Sequence, residues 1–302
     1  EGEPETADDT GNQANRGNGG GGGVRLLQPS GRHSSRANPE TIAVTNNPIA
    51  DNGSAHEGGG LALDDATSVN VVNNTVARNI TTATAVTSDG TAAPAGLSTG
   101  ANSDPLQARL SDASLFPGSS ILASTLFSKP TIMNDVFWDN RAGYINATGG
   151  VSGITAADAS PWDMGAADLS GQLSPINSVI QTAFGTDGGS ATTLSDNPVF
   201  IAPYDVAVNI LPLRTYPGFR QAVIVALIVP PSLMGDYHLL NTTSPAYGRG
   251  TGSVRVRWGG TTQTNAWIYT VPAPNRDIDG NNRPSGAGPN RRFDAGSDQF
   301  QP

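Results

Sequence analysis

The stretch GGGLALDD ends on two adjacent carboxylates, Asp64 and Asp65, and a third, Asp139, lies in NDVFWDN. Aspartates gathered from separate segments can hydrolyse a glycosidic bond, one activating water and another protonating the leaving oxygen. An Asp pair that ends a strand also has a plainer use, accepting N–H groups to cap a turn. His56-Glu57 in AHEGGG lacks the second histidine four residues on that a zincin helix requires. His33, His56 and His238 lie in separate segments and form a metal site only if folding gathers them. DIDGNN, from Asp277 to Asn282, opens like a calcium loop with Asp277 and Asp279 as ligands, without the bidentate glutamate that closes an EF-hand. A turn in which both aspartates accept backbone N–H groups explains the same residues. GNGGGGGVRL carries no Gly-Lys-Ser/Thr and precedes no helical pattern, which argues against a phosphate loop.

Composition narrows the class. The 302-residue chain carries a net charge of −9, and its sixteen arginines accompany a single lysine, Lys129. No basic cluster is long enough to neutralise a row of phosphates, which argues against nucleic acid as partner. The absence of cysteine excludes disulfides, thiolate metal sites and cysteine nucleophiles in this chain. The most apolar run, Ala222 to Val229, stops at Pro230-Pro231, far short of the roughly twenty residues of a membrane span. Its β-branched content predicts a buried strand. The opening EGEPETADD has no leader, so the chain reads as a mature or excised product, with Glu1 a terminus of unknown origin.

Short strands must position these residues. TIAVTNNPIADN (Thr41 to Asn52) and SVNVVNNTVARN (Ser68 to Asn79) align position by position. Apolar residues match at Ile42/Val69, Val44/Val71 and Ile49/Val76, and asparagines at Asn46/Asn73, Asn47/Asn74 and Asn52/Asn79. NDVFWDN supplies a looser third copy through Asn134, Phe137 and Asn140. The triplet Gly21-Gly22-Gly23 returns as Gly58-Gly59-Gly60. Removing a ten-residue polar insertion, Gln28 to Ala37, reduces the first unit from 37 to 27 residues, the spacing from Thr41 to Ser68. A period in the twenties built from short alternating strands predicts a solenoid. Glycine and asparagine both accept φ > 0, so both repeated elements read as corners, and stacked asparagines can hydrogen-bond along a ladder.

These coils resemble the right-handed parallel β-helix superfamily, the group that contains pectate-lyase-like enzymes and many bacterial surface proteins. The C-terminus resembles the ending of secreted bacterial members. It has Ser244-Pro245-Ala246, then Asp277, Asp279, Gly280, Arg283 and Pro284, then Asp294 and Gly296. The resemblance covers about 20–80 and 235–300. It implies an all-β, right-handed parallel β-helix exported to the periplasm, cell surface or medium. Lyases and hydrolases of that superfamily act on acidic polysaccharides. Asp64-Asp65 resembles the hydrolases' aspartate pair, but their Gly-His-Gly and Arg-x-Lys elements are missing here.

The expected layout is a flexible segment over 1–20 and a β-helix domain over 21–302. Loop insertions are expected at about 81–129 and 142–197, and a C-terminal cap with a hairpin at about 235–302. With no capping segment visible ahead of Gly21, the chain reads as the C-terminal part of a longer solenoid, or as one whose first coil a protein partner covers. The function expected is a non-catalytic scaffold or subunit of an extracellular assembly. Similar coils accompany extracytoplasmic redox enzymes, which the resemblance offers as one partner class. Two alternatives stay open. One is a polysaccharide lyase or glycoside hydrolase that uses Asp64, Asp65 and Asp139. The other is a carbohydrate-binding module using Trp138, Trp162, Trp258 and Trp267. No cofactor is expected beyond calcium at Asp277 and Asp279.

Overall fold

The computed structural model describes residues 20–27, 41–66, 68–85, 87–112, 114–115, 126–205, 207–212, 223–228, 235–258, 267–286 and 291–301. The expected flexible segment, up to residue 19, and the Gln28–Ala37 insertion with His33 lie outside the described residues.

Each coil is a run of very short strands separated by sharp corners. The first holds β1 (Val24–Leu27), β2 (Ile42–Thr45), β3 (Pro48–Ala50) and β4 (Gly53–Ser54). The second holds β5 (Leu61–Asp64), β6 (Val69–Val72), β7 (Thr75–Ala77) and β8 (Ile80–Thr81). The third begins at β9 (Leu97–Thr99), carries the excursion containing α1 (Asp104–Leu110), and returns as β10 (Thr131–Met133), β11 (Val136–Trp138) and β12 (Arg141–Ala142). A small antiparallel hairpin, β13 (Tyr144–Ile145) and β14 (Val151–Ser152), then loops out. The fourth coil holds β15 (Met164–Ala166), β16 (Pro175–Ile176) and β17 (Val179–Ile180), and β18 (Thr193–Leu194) starts another rung.

Stacking these coils gives four parallel sheets: β1-β5-β9-β15, β2-β6-β10-β16, β3-β7-β11-β17-β18 and β4-β8-β12. The chain is a parallel β-helix. Register follows the repeat, pairing Ile42 with Val69, Val44 with Val71, Ile49 with Val76, and Val76 with Phe137. The segments read as insertions are only partly loops. Residues 81–129 supply β9, and 142–197 supply the whole fourth coil.

Alternation within each strand sends one set of side chains inward. Leu61, Leu63, Val69, Val71, Val76, Leu97, Ile132, Phe137, Met164 and Ile180 make one buried column. Each such side chain contributes about 1.5–3 kcal/mol on leaving water. The outward set is not simply polar. Val72 and Met133 on the second sheet pack beneath the hairpin of β23 (Ser253–Trp258) and β24 (Trp267–Pro272). Val136 and Val179 on the third sheet lie beneath Phe200, Tyr237, Leu239, Ala246 and Ala295. A sheet buried on both faces needs such cover. Two further pairs are antiparallel: β19 (Phe200–Ala202) with β22 (Asp236–Leu239), and β20 (Ala207–Pro212) with β21 (Val223–Ile228).

Two corners repeat with the same design. At the first, Asn46, Asn73, Asn134 and Asn177 all take φ between 49° and 58°, the left-handed region that asparagine tolerates. The residue after each points inward and continues a ladder. Asn47 Nδ2 donates to Asn74 Oδ1 at 3.1 Å, Asn74 Nδ2 to Asp135 Oδ1 at 3.0 Å, and the Asp135 N–H to Ser178 Oγ at 3.1 Å. The second corner uses Asp51, Arg78 and Asp139 at φ 59°, 57° and 54°. Its ladder runs from Asn52 to Asn79 (3.0 Å), Asn140 (3.0 Å) and Asp163 (3.1 Å). The glycine triplets pass close to this ladder. A Cβ on Gly60 would sit 2.6 Å from the Gly96 carbonyl oxygen and 2.9 Å from Asn79 Nδ2. Gly58 turns with φ 61°, and Gly59 bonds onward through its carbonyl to Gly23 N.

The left-handed asparagines face outward, and the C-terminal segment binds to them in a row. Asn177 Nδ2 donates to Arg249 O, Asn134 exchanges two bonds with Thr251, and Asn73 Nδ2 reaches Asp294 O and Gly296 O. Asn46 donates to Arg276 O and accepts from Arg283. The described residues between 249 and 297 therefore strap the flank of all four coils.

Candidate functional site

On the outer face of the first sheet, β5 reads Leu61-Ala62-Leu63-Asp64, with the leucines in the core and Ala62 and Asp64 outward. The 87–93 loop rises on one side and residues 100–101 and 167–168 on the other. They enclose a groove of about 440 Å³ lined by His56, Glu57, Asp64, Asp89 and Asp168 among others. Four carboxylates face one space.

Each carboxylate has a local partner. Asp64 lies 3.6 Å from the Arg25 guanidinium. Asp89 accepts the N–H and hydroxyl of Thr91. Asp168 accepts Ala101 N–H at 2.7 Å and Ser170 N–H at 3.0 Å. Partial burial opposes its charge, yet these hydrogen bonds hold its carboxyl below the usual range. Glu57 differs. Burial beside the glycine triplet pushes its carboxyl up, against the pull of His56 at 3.8 Å and a 3.0 Å hydrogen bond from Ser98. A half-buried acid beside an outward aspartate can bind a polar ligand or donate a proton.

Asp64, Asp65 and Asp139 engage separate partners. Asp65 turns away from the groove with φ 52° and holds the approach to α1, accepting Ser103 N–H and Oγ at 2.7 Å each. Asp139 sits at the second corner in a bidentate pair with the buried Arg141, at 2.9 and 2.8 Å. Arg141 also reaches Asp205 at 2.7 Å, and Arg78 lies 3.6 Å from Asp139. Burial works against the Arg141 charge, but Asp139 and Asp205 more than offset it. Next to them Asp51 accepts the Tyr237 hydroxyl at 2.8 Å, and burial pushes its carboxyl up to about 7.

Asp277 is a turn residue. Its oxygens accept Asp279 N, Asn281 N, Asn281 Nδ2 and Gln299 N. Asp279 turns instead toward His238, with 2.9 Å to Nε2. Trp162 is buried edge-on against Phe184, its Nε1 bonded to Met164 O, and Trp138 packs on the cluster that holds Val136 and Tyr237. The side chains of Trp258 and Trp267 lie outside the described residues.

The groove acids Asp89 and Asp168 come from loops that no repeat marks. The signal for Glu57 was its place directly before Gly58-Gly59-Gly60, where the coil turns into the first sheet. The fold and this groove define a β-solenoid with an acidic face. Comparisons with family models, with curated proteins and with solved structures give no match for this chain.

Proposed function

We propose that the chain is a non-catalytic, exported β-helix scaffold, a subunit that docks a protein partner of an extracellular or cell-surface assembly on its first coil. The observation that carries this is the state of that coil. Val24, Leu26, Ile42 and Val44 are only half-buried, whereas their rung partners Leu61, Leu63, Val69 and Val71 are fully buried. Among the described residues, β1 to β4 each have one hydrogen-bonded neighbour. Both ladders present their acceptor end there. Asn74 Oδ1 and Asn79 Oδ1 receive the preceding asparagine's N–H and Nδ2, and Asn47 Oδ1 and Asn52 Oδ1 occupy the same positions one coil earlier. Such an edge fits a partner that adds a parallel strand with inward aliphatic side chains and donor groups at the corners.

The resemblance to secreted pectate-lyase-like solenoids supports export and right-handedness. No helix among the described residues is long and apolar enough to cross a membrane. The test places a photo-crosslinking residue at Ala43, on the exposed side of β2, in the source organism. A single stoichiometric adduct, lost with Val44→Lys, is expected. Absence of any adduct, with a 30.9 kDa monomer by native mass spectrometry, overturns the proposal.

The acidic groove favours a second reading, a carbohydrate-active site with Glu57 as acid beside Asp64. Release of reducing ends from a polysaccharide, abolished by Glu57→Gln with folding intact, would establish it over the scaffold.

A further inference from the structure

We infer that His238, Asp279 and Asp298 form a site for a divalent transition-metal ion of the zinc class. Three distant segments converge here: β22, the 277–281 turn and the C-terminal run. One ligand atom from each residue lies within 4.8 Å of the other two. Nε2 of His238 and Oδ2 of Asp279 are 2.9 Å apart. Two ligands about 2.1 Å from one tetrahedral ion lie about 3.4 Å apart, so these two atoms need to part by only about 0.5 Å to admit it.

The orientation of the imidazole is a second, independent observation. Its Nδ1 is 2.5 Å from Asp236 Oδ1, a carboxylate that itself accepts the His238 N–H. A proton on Nδ1 leaves the Nε2 lone pair beside the Asp279 carboxylate. Nε2 is withdrawn from solvent and makes no hydrogen bond, despite its closeness to Asp279. A lone pair 2.9 Å from a carboxylate oxygen is repulsive, and either a second proton on the ring or a metal cation relieves it. Carboxylate, histidine and metal in that order is the usual way to fix a ligating ring.

The other ligands are held too. Asp298 Oδ2 accepts Leu239 N–H at 2.9 Å, and Ile278 N–H donates to Ser297 O, tying the two aspartate-bearing segments together. An imidazole with two carboxylates suits zinc-like ions, whereas calcium and magnesium take oxygen ligands. Asp279 is half-exposed, which leaves room for solvent to complete the coordination. In a chain without cysteine, the ion would staple the strap to β22. This inference stands apart from the docking proposal.

The test titrates EDTA-stripped full-length protein with zinc chloride, and separately with manganese and calcium chloride, by calorimetry and thermal melting. One equivalent of zinc is expected, with Tm raised by about 4 °C at a hundredfold excess over Kd. Calcium is expected to bind at least about tenfold more weakly. Asp279→Asn and His238→Gln should each lower zinc affinity at least about tenfold with an unchanged circular dichroism spectrum. If His238→Gln fails to fold, the exposed Asp279→Asn decides. No stoichiometric zinc uptake would mean a plain His–Asp ion pair and overturn the inference. So would undiminished zinc binding in Asp279→Asn, or calcium binding as tightly as zinc.

Discussion

Asn79 donates through Nδ2 to Asn140 Oδ1 at 3.0 Å, and both side chains are fully buried at the second corner. Asn79 also donates to Ile49 O and accepts the N–H and Nδ2 of Asn52. Removing a residue that satisfies several buried groups costs more than removing one bond, because its partners stay desolvated. Asn79→Ala is expected to lower unfolding free energy by about 2–4 kcal/mol in urea titration. Asn52→Ala, in the same ladder at the half-exposed first coil, should cost under about 1 kcal/mol. Equal losses would mean the ladder is not cooperative.

Much of this ladder was legible in the sequence, because a β-helix stacks equivalent residues and so writes its register as a repeat. Ile42, Val69 and their neighbours share rungs at the 27-residue spacing. Asn134, Phe137 and Asn140 continue the same columns. The fourth coil was illegible because its chemistry drifted. Ser178 takes the place of an inner asparagine, and Asp163, far earlier in the chain than its corner, ends the other ladder. Pro94-Ala95-Gly96 occupies the position of a glycine triplet, its carbonyls receiving Gly58, Gly60 and Leu61 N–H groups. The outward asparagines were visible as corners, but not as anchors, since their partners lie up to 237 residues away. The groove drew on Asp89 and Asp168 from loops, where period carries no information.

Arg141 is the ion pair to break first. With 3% of its surface exposed, it neutralises Asp139 and Asp205 together. Arg141→Met should destabilise the chain by about 3 kcal/mol by leaving Asp139 beside only the more distant Arg78. Adding Asp139→Asn should recover part of that loss. A double-mutant cycle in urea reads the coupling, and strict additivity would contradict it.

Asp51 makes stability depend on pH. Its carboxyl sits at about 7 in the fold, above the ~3.9 of a free aspartate. Between those values the folded chain holds a proton that the unfolded chain releases. The group's stabilising share is therefore complete below the unfolded value and lost as pH rises through about 7. Asp51→Asn removes the titration, keeps an acceptor for Tyr237, and suits φ 59°. It should match the wild type at pH 4 and exceed it at pH 8 by on the order of 1–2 kcal/mol. Thermal melts at both values check the sign, and a variant less stable at pH 8 would refute it.

Gly296 tests whether strap and coils are separable. It turns with φ 94°, and a Cβ there would sit 2.9 Å from Thr75 Oγ1 and 3.1 Å from Val136 Cγ2. Thr75 Oγ1 already accepts the Ser297 N–H, and Gly296 N–H bonds to Asn134 O at 2.7 Å. Alanine at this position must therefore push the strap off β7 and β11, whose own parallel neighbours remain. Gly296→Ala is expected to raise hydrogen exchange across residues 291–301 at least about tenfold, the equivalent of roughly 1.4 kcal/mol of local opening. The amides of β6 and β7, bonded within the coils, should stay protected. Equal loss of protection in strap and coils would show that they unfold as one unit, with the strap essential to the helix it covers.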